Sequence, residues 1–217
     1  MKSRYLKRNC WCIISVMFAM RIVFTTLGVF LYLYFFWKKL KDDYIQNQIF
    51  TTAFYSLSGI CLFSLSSAYY FPGYEFWFGV IGSFLGFLIG VLKYKLRFFE
   101  AFEAFVIANL GVDFLYNSFG LIEKFSIRSS VSTGTAFILI IAFFVIDKHY
   151  KKFTWYKSGK VGFTGLSVAG LYFVLRSVID IIFPSVLSFA GRWQAVIFAA
   201  LSFTVFILLY NLSQKKV

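Results

Sequence analysis

Seven apolar segments, each close to the length that a helix needs to cross a lipid bilayer, follow one another along the chain with only short connections between them. A helix rises ~1.5 Å per residue and the hydrocarbon core is ~30 Å thick, so about 20 apolar residues make one crossing. The pattern predicts an all-α, polytopic integral membrane bundle of about seven transmembrane helices, in a single domain over residues 1–217. The predicted spans are 13–37, 46–70, 75–93, 100–118, 131–146, 164–183 and 191–210.

The composition excludes an ordinary soluble domain. Hydrophobic residues make up 60% of the chain and charged residues only 14%, whereas about 25% of the residues in a soluble domain are charged. The net charge of +13 is compatible with nucleic-acid binding, but Lys and Arg occur in short clusters between the apolar segments. That distribution favours loops that lie against anionic lipid headgroups, so no nucleic-acid partner is predicted.

The basic clusters also predict an orientation. They occupy the first, third and fifth connections and the C-terminal tail, whereas the opposite connections hold only Lys124, Arg128 and Arg192. Because cytoplasmic loops carry the excess of Lys and Arg, the heavily basic side is predicted to be cytoplasmic. The N-terminus is then outside and the C-terminus cytoplasmic, although four basic residues near the N-terminus favour the reverse.

Arg176 and Asp180 lie four residues apart inside the apolar segment 164–183. A guanidinium in hydrocarbon costs at least ~2.5 kcal/mol unless it has a partner or water. Residues at i and i+4 share one helix face, so Asp180 is expected to neutralise Arg176. Two interpretations remain open at this point, a structural ion pair that fixes helix packing and a buried site for an anion.

A polar stripe in the fourth span consists of Asn109, Asp113 and Asn117, again four residues apart. Such a face is rare in a membrane helix unless it points to the bundle interior or to a wet cavity. The stripe predicts either hydrogen bonds between helices or the lining of a headgroup or substrate site. Asp113 is a candidate general base, because desolvation raises the pKa of a carboxylate.

Other small and polar residues carry weaker signals. Four glycines share one face of the third span, which predicts close packing against another helix, with a groove for an acyl chain as the alternative. Gln194, at the start of the last span, is expected either to anchor that helix or to contact a headgroup. No metal-ligand spacing or Gly-rich phosphate loop occurs, so no metal or cofactor is predicted. The four glycines are Gly79, Gly82, Gly86 and Gly90.

Three stretches together resemble the prolipoprotein diacylglyceryl transferase family. Residues 76–117 read FWFGVIGSFLGFLIGVLKYKLRFFEAFEAFVIANLGVDFLYN, similar to the family's Gly-rich span, its K-x-x-L-x-F-F turn and its polar motif. Residues 170–182 read GLYFVLRSVIDII, similar to the family's Y-x-x-x-R-F-x-x-E segment, with Tyr172, Arg176 and Asp180 on the matching positions. Residues 192–202 read RWQAVIFAALS, similar to the family's last segment, in which a Gln, here Gln194, precedes the final span.

The chain departs from the family at three of its motifs, of which one is the G-A-R of the second span, where the chain reads Ser64, Leu65, Ser66. Where the family has H-G-G, the chain reads Trp77, Phe78, Gly79, and the G-R-x-G-N-F motif is replaced by a stretch that begins Gly111, Val112. The histidine and one arginine of the family are therefore missing. The resemblance implies either a divergent enzyme with rearranged groups or a relative that has lost catalysis.

The resemblance implies transfer of a diacylglyceryl group from phosphatidylglycerol to the thiol of a lipoprotein precursor, in the bacterial cytoplasmic (inner) membrane. Arg176 would bind the phosphate, Asp180 would orient Arg176, and Asp113 would accept the thiol proton. The alternatives are a non-catalytic membrane protein that binds lipid or a partner, and a small transporter. A transporter predicts internal repeats and broken spans, whereas both prolines lie at span ends. The remaining substrate-binding candidates are Tyr172, Asn109, Asn117 and Gln194.

Overall fold

The computed structural model describes residues 2–72, 74–123, 125–149, 162–182 and 193–214, without the side chains of 2–17, 75, 128, 180 and 214. In these ranges all regular structure is α-helical and no strand is present. The helices are α1 (Lys2–Leu40), α2 (Gln46–Tyr70), α3 (Glu75–Tyr94), α4 (Phe98–Glu123), α5 (Ile127–His149), α6 (Phe163–Ile182) and α7 (Trp193–Gln214).

The predicted fold class is confirmed. Six of the described helices are long and apolar enough to cross a membrane, and a shorter apolar helix covers Phe163–Ile179. The helix α2 has the predicted bounds. The helix α5 is much longer than the predicted span 131–146, because its polar first turn is still helical: the Ser126 hydroxyl accepts a hydrogen bond from the backbone N–H of Ser129 (3.2 Å) and so caps the helix.

Consecutive helices run antiparallel, so the C-terminal ends of α1, α3 and α5 lie at one end of the bundle. We call this the basic end, because it carries Lys38, Lys39, Lys93 and Lys148. Near the opposite end Arg21 of α1 forms an ion pair with Glu123 of α4 (3.0 Å).

The glycine face of α3 packs against α2. A Cβ atom at Gly82 would collide with the backbone of Gly59, and one at Gly86 would collide with the backbone of Tyr55. The close helix packing that the glycines predict is therefore present, and α2 fills the space in which an acyl chain would have lain.

The helix α4 is the centre of the bundle. Its small buried residues Ala101, Ala104 and Ala108 let α1 approach, and the buried rings of Tyr32 and Phe36 belong to the same core cluster. Its other face packs against α5 and α6 through Leu110 and its neighbours. Polar side chains on α4 can therefore reach α1, α3, α5 and α6.

Candidate functional site

Arg176 of α6 is buried inside the bundle. Only 5% of the residue is exposed, and six residues, or ~9 Å of helix, separate it from the end of α6 at Ile182. Its Nη2 atom lies 3.4 Å from Oδ2 of Asp113 on α4, which forms an ion pair. The guanidinium thus has an acidic partner 63 residues away in sequence.

Two aromatic rings flank the Arg176 guanidinium. Its Cζ atom is 5.3 Å from the centroid of the Phe76 ring and 5.2 Å from that of Tyr172. Phe76 is on α3 and Tyr172 is one turn before Arg176 on α6. Both rings lie within the ~6 Å at which a cation is attracted to an aromatic face, so they stabilise the charge and help to enclose it.

Asp113 also accepts hydrogen bonds from a residue of its own helix, α4. The Asn117 amide donates to Oδ1 of Asp113 (3.0 Å) and to the Asp113 backbone carbonyl (2.7 Å). Each carboxylate oxygen therefore has a partner, Asn117 for one and Arg176 for the other. In this arrangement Asp113 serves as a counter-ion, and it would have to leave Arg176 before it could accept a proton from a substrate.

Asn109 belongs to a second polar network, near the middle of α4. The Ser83 hydroxyl donates to Oδ1 of Asn109 (3.1 Å), the Ser56 hydroxyl donates to the Ser83 carbonyl (3.0 Å), and the Tyr32 hydroxyl donates to the Ser56 oxygen (2.7 Å). This network joins α1, α2, α3 and α4. The polar stripe of α4 is thus divided, with Asp113 and Asn117 beside Arg176 and Asn109 against α3.

Two further predicted residues belong to the ends of α6 and α7. Gln194 is 1% exposed, and the carbonyl of the next residue, Ala195, accepts a hydrogen bond from Ser177 (3.0 Å). Gln194 therefore lies in the first turn of α7, beside the α6 turn that carries Arg176. The side chain of Asp180 lies outside the described residues, so its pairing with Arg176 stays a prediction, to which the structure adds Asp113 as a partner.

A third polar cluster, at the basic end, was missed by the sequence analysis. Lys39 of α1 forms ion pairs with Glu103 of α4 (3.1 Å) and with Asp147 of α5, and Glu103 also accepts a hydrogen bond from the backbone N–H of Thr164 in α6 (3.1 Å). Four helices meet here. Glu103 could have revealed this cluster from the sequence, because it is an acid inside the predicted span 100–118, where an ionisable residue requires a partner.

An apolar groove of about 270 Å³ lies between α6 and α7 and is lined by Val174, Val178, Ser202 and Phe203, among others. Val174 and Val178 are each two positions from Arg176, about 200° around the helix. The valines therefore lie on the other face of α6, although Ser177, next to Arg176 in the chain, also lines the groove; Phe76, Tyr172 and Asp113, which contact Arg176, do not.

Among the described residues no group of three or more His, Cys, Asp or Glu side chains is arranged to hold a metal ion. No protein-family model matches the chain, and no match to it is found among curated proteins or solved structures. The resemblance to the transferase family therefore stays a prediction that depends on the residues alone.

Proposed function

We propose that the protein is a divergent, diacylglyceryl-transferase-like membrane protein in which Arg176 binds the phosphate of an anionic phospholipid such as phosphatidylglycerol. The supporting observation is the buried Arg176 guanidinium, which lies between two aromatic rings with the Asp113 carboxylate as its counter-ion. A guanidinium binds phosphate with two parallel hydrogen bonds, which makes Arg well suited to this ligand.

Asp113 is then the partner of Arg176 when no lipid is bound. An unpaired cation in the apolar interior is strongly unfavourable, so Arg176 requires an anion at all times. A lipid phosphate can take the place of the carboxylate, and Asn117 keeps a hydrogen bond to Asp113 when it moves away. The ion pair thus serves both as a stable closed state and as the site that the phosphate enters.

The location follows from the charge distribution. We propose that the basic end faces the cytoplasm of a bacterial cell, since positive residues accumulate on that side of the inner membrane. The N-terminus is then outside, the C-terminus is cytoplasmic, and Arg176 is buried in the half of the bundle nearer the outer leaflet.

The binding proposal predicts that Arg176→Ala removes co-purifying phosphatidylglycerol, measured by mass spectrometry of lipids extracted from the purified protein. Arg21→Ala is the matched control, because Arg21 is also an arginine of a spanning helix but is largely exposed and pairs with Glu123. Wild type and Arg21→Ala are expected to retain the lipid. Equal retention by Arg176→Ala would rule out the headgroup role.

Asp113→Asn separates this proposal from a purely structural ion pair. The variant leaves Arg176 without the Asp113 charge, so added phosphatidylglycerol should raise its melting temperature more than that of wild type. Saturation at 100 times Kd stabilises a folded protein by about 2.7 kcal/mol, which is well within the range of a thermal assay. A melting temperature that is lowered equally with and without the lipid would favour the structural role.

A lipid-binding protein without catalysis is the second candidate, favoured by the two partners that occupy Asp113. Transfer to a thiol requires a group that accepts the thiol proton, and here the candidate base is held by Arg176 and Asn117. Complementation of a strain depleted of its own transferase separates the two candidates. Restored lipoprotein modification would support the enzyme, and its failure with normal protein levels would support the binding protein.

A further inference from the structure

At the basic end, one ammonium group contacts two carboxylates. The Nζ atom of Lys39 lies 3.1 Å from Oε2 of Glu103 on α4, and it also donates to Oδ1 of Asp147 on α5. If all three groups are ionised, the cluster holds two negative charges and only one positive charge. The Glu103 side chain is only 10% exposed, so the excess negative charge lies where water screens it poorly.

The helices around Asp147 bring little other charge to it. Among the described residues, Lys39 is the one cation within ion-pair distance of Asp147. On α4, Glu100 pairs instead with Arg97 in the connection before that helix (3.0 Å), and the first turn of α6 has no ionisable side chain. The last two residues of α5, Lys148–His149, are exposed. The described part of the cluster therefore keeps one more carboxylate than cation.

The two carboxylates differ in their position relative to helix ends. Glu103 accepts a hydrogen bond from the backbone N–H of Thr164 in the first turn of α6 (3.1 Å), where the partial positive charge of the helix stabilises an anion. Asp147 lies in the last turn of α5, which ends at His149, and the partial negative charge there disfavours an anion. A proton bound by the cluster is therefore expected on Asp147, with Lys39 and Glu103 as the ion pair.

A buried hydroxyl beside the cluster has no partner in the described structure. Thr164 is 0% exposed, and its Oγ1 atom makes no hydrogen bond among the described residues. This oxygen is within ~4 Å of the Thr164 backbone nitrogen, which itself lies 3.1 Å from Glu103. The hydroxyl is thus within the reach of one bridging water from the carboxylate. The space next to the carboxylates is polar enough to hold water, through which a proton can exchange.

We propose that the cluster of Lys39, Glu103 and Asp147 is a proton-binding site, in which one proton resides on Asp147 and neutralises the excess negative charge. The Asp147 carboxylate takes this proton from water at the basic end and returns it to water, and no other bond changes. The cluster joins α1, α4, α5 and α6, so the bound proton stabilises the packing of four helices. The inference does not depend on the proposed lipid site, although α6 also carries Arg176.

The site couples the stability of the fold to pH. An aspartate in an unfolded chain releases its proton at about pH 4, whereas the folded cluster keeps it. The folded state then binds more protons than the unfolded state, so this contribution to stability is present at low pH and is lost as pH rises. The stabilising effect of the cluster should therefore be larger at about pH 5 than at about pH 8.

Asp147→Asn tests this coupling, because the amide has nearly the shape of the neutral acid and carries no charge. In detergent, its melting temperature should equal that of wild type at about pH 5 and exceed it at about pH 8. Glu103→Gln is the comparison variant, since it removes the carboxylate that pairs with Lys39 and should melt below wild type at both pH values. An Asp147→Asn variant that melts below wild type at both pH values would overturn the proposal.

Infrared spectroscopy of the purified protein, in a detergent without ester groups, detects the proton itself. A protonated carboxylic acid has a carbonyl band that a carboxylate and an amide lack. Wild type should gain such a band between about pH 8 and about pH 5, and Asp147→Asn should lose it. Glu123→Gln is the matched control, since Glu123 pairs with the largely exposed Arg21 at the opposite end, and it should keep the band. A band of full intensity in Asp147→Asn would overturn the proposal. Arg176→Ala should also keep the band, so failure of the lipid site and failure of the proton site are separate results.

Discussion

At the residue scale, the two charged residues that are buried in the described structure, Arg176 and Glu103, each have a partner of opposite charge on another helix. Arg176 pairs with Asp113, and Lys39 pairs with Glu103 and Asp147. The sequence placed Arg176 in an apolar segment and therefore predicted a partner, but it offered only Asp180, four residues away. Asp113 could not be assigned to Arg176 from the sequence, because their contact depends on how α4 and α6 pack.

A stability prediction at the residue scale concerns Glu103. Loss of one member of a buried ion pair costs about 3–5 kcal/mol, and Glu103→Gln should cost less, about 1–3 kcal/mol, because Lys39 keeps Asp147 and glutamine can still accept from Thr164. The melting temperature in detergent should fall accordingly. Glu123→Gln is the control, since its partner Arg21 is largely exposed and such pairs contribute about 0–1 kcal/mol. An equal fall in both variants would contradict the structural role of Glu103.

At the element scale, the helices followed closely from hydropathy, and the errors have physical causes. The helix α2 has the bounds that were predicted, Gln46 to Tyr70. The helix α5 was predicted too short, because the polar residues at its two ends lower the hydropathy, whereas the helix runs from Ile127 to His149 and Ser126 caps its start. A helix cap depends on one local hydrogen bond, which a hydropathy average over many residues does not detect.

The glycine face of α3 makes an element-scale prediction. Gly86→Ala should destabilise the protein by about 1–3 kcal/mol, because the added methyl group meets the α2 backbone and the helices must separate. Gly134→Ala in α5 is the matched control, since no other atom lies within 4 Å of the new Cβ position. The melting temperatures of both variants in detergent test this prediction. If Gly134→Ala were as harmful as Gly86→Ala, loss of the α2–α3 contact would not be the cause.

At the scale of the whole molecule, the three polar clusters lie at successive levels along α4. The Lys39–Glu103–Asp147 cluster lies near the basic end, the network of Tyr32 and Asn109 follows, and the Arg176 site lies nearest the opposite end. The first two layers join α4 to its neighbours. The third contains the strongest candidate for ligand binding, the Arg176 guanidinium beside Asp113.

Topology is the prediction at this scale. If the basic end faces the cytoplasm, as proposed from the distribution of Lys and Arg, a tag at the C-terminus should be accessible only from the cytoplasm and a tag at the N-terminus only from outside. Protease protection of the tags in intact cells and in inverted vesicles measures both. An N-terminus protected in intact cells would place the basic end outside and move Arg176 to the inner leaflet.

The sequence by itself determined that the chain is a membrane bundle of about seven helices and that a buried Arg must have an acidic partner. These follow locally, because backbone groups in lipid must bond within their own helix and each apolar segment has the length of a crossing. Only the tertiary structure decided that Asp113 lies against Arg176, that Asn109 belongs to a separate network, and that Glu103 joins four helices. Contacts between segments depend on which helix faces meet, and hydropathy is nearly the same for every such arrangement.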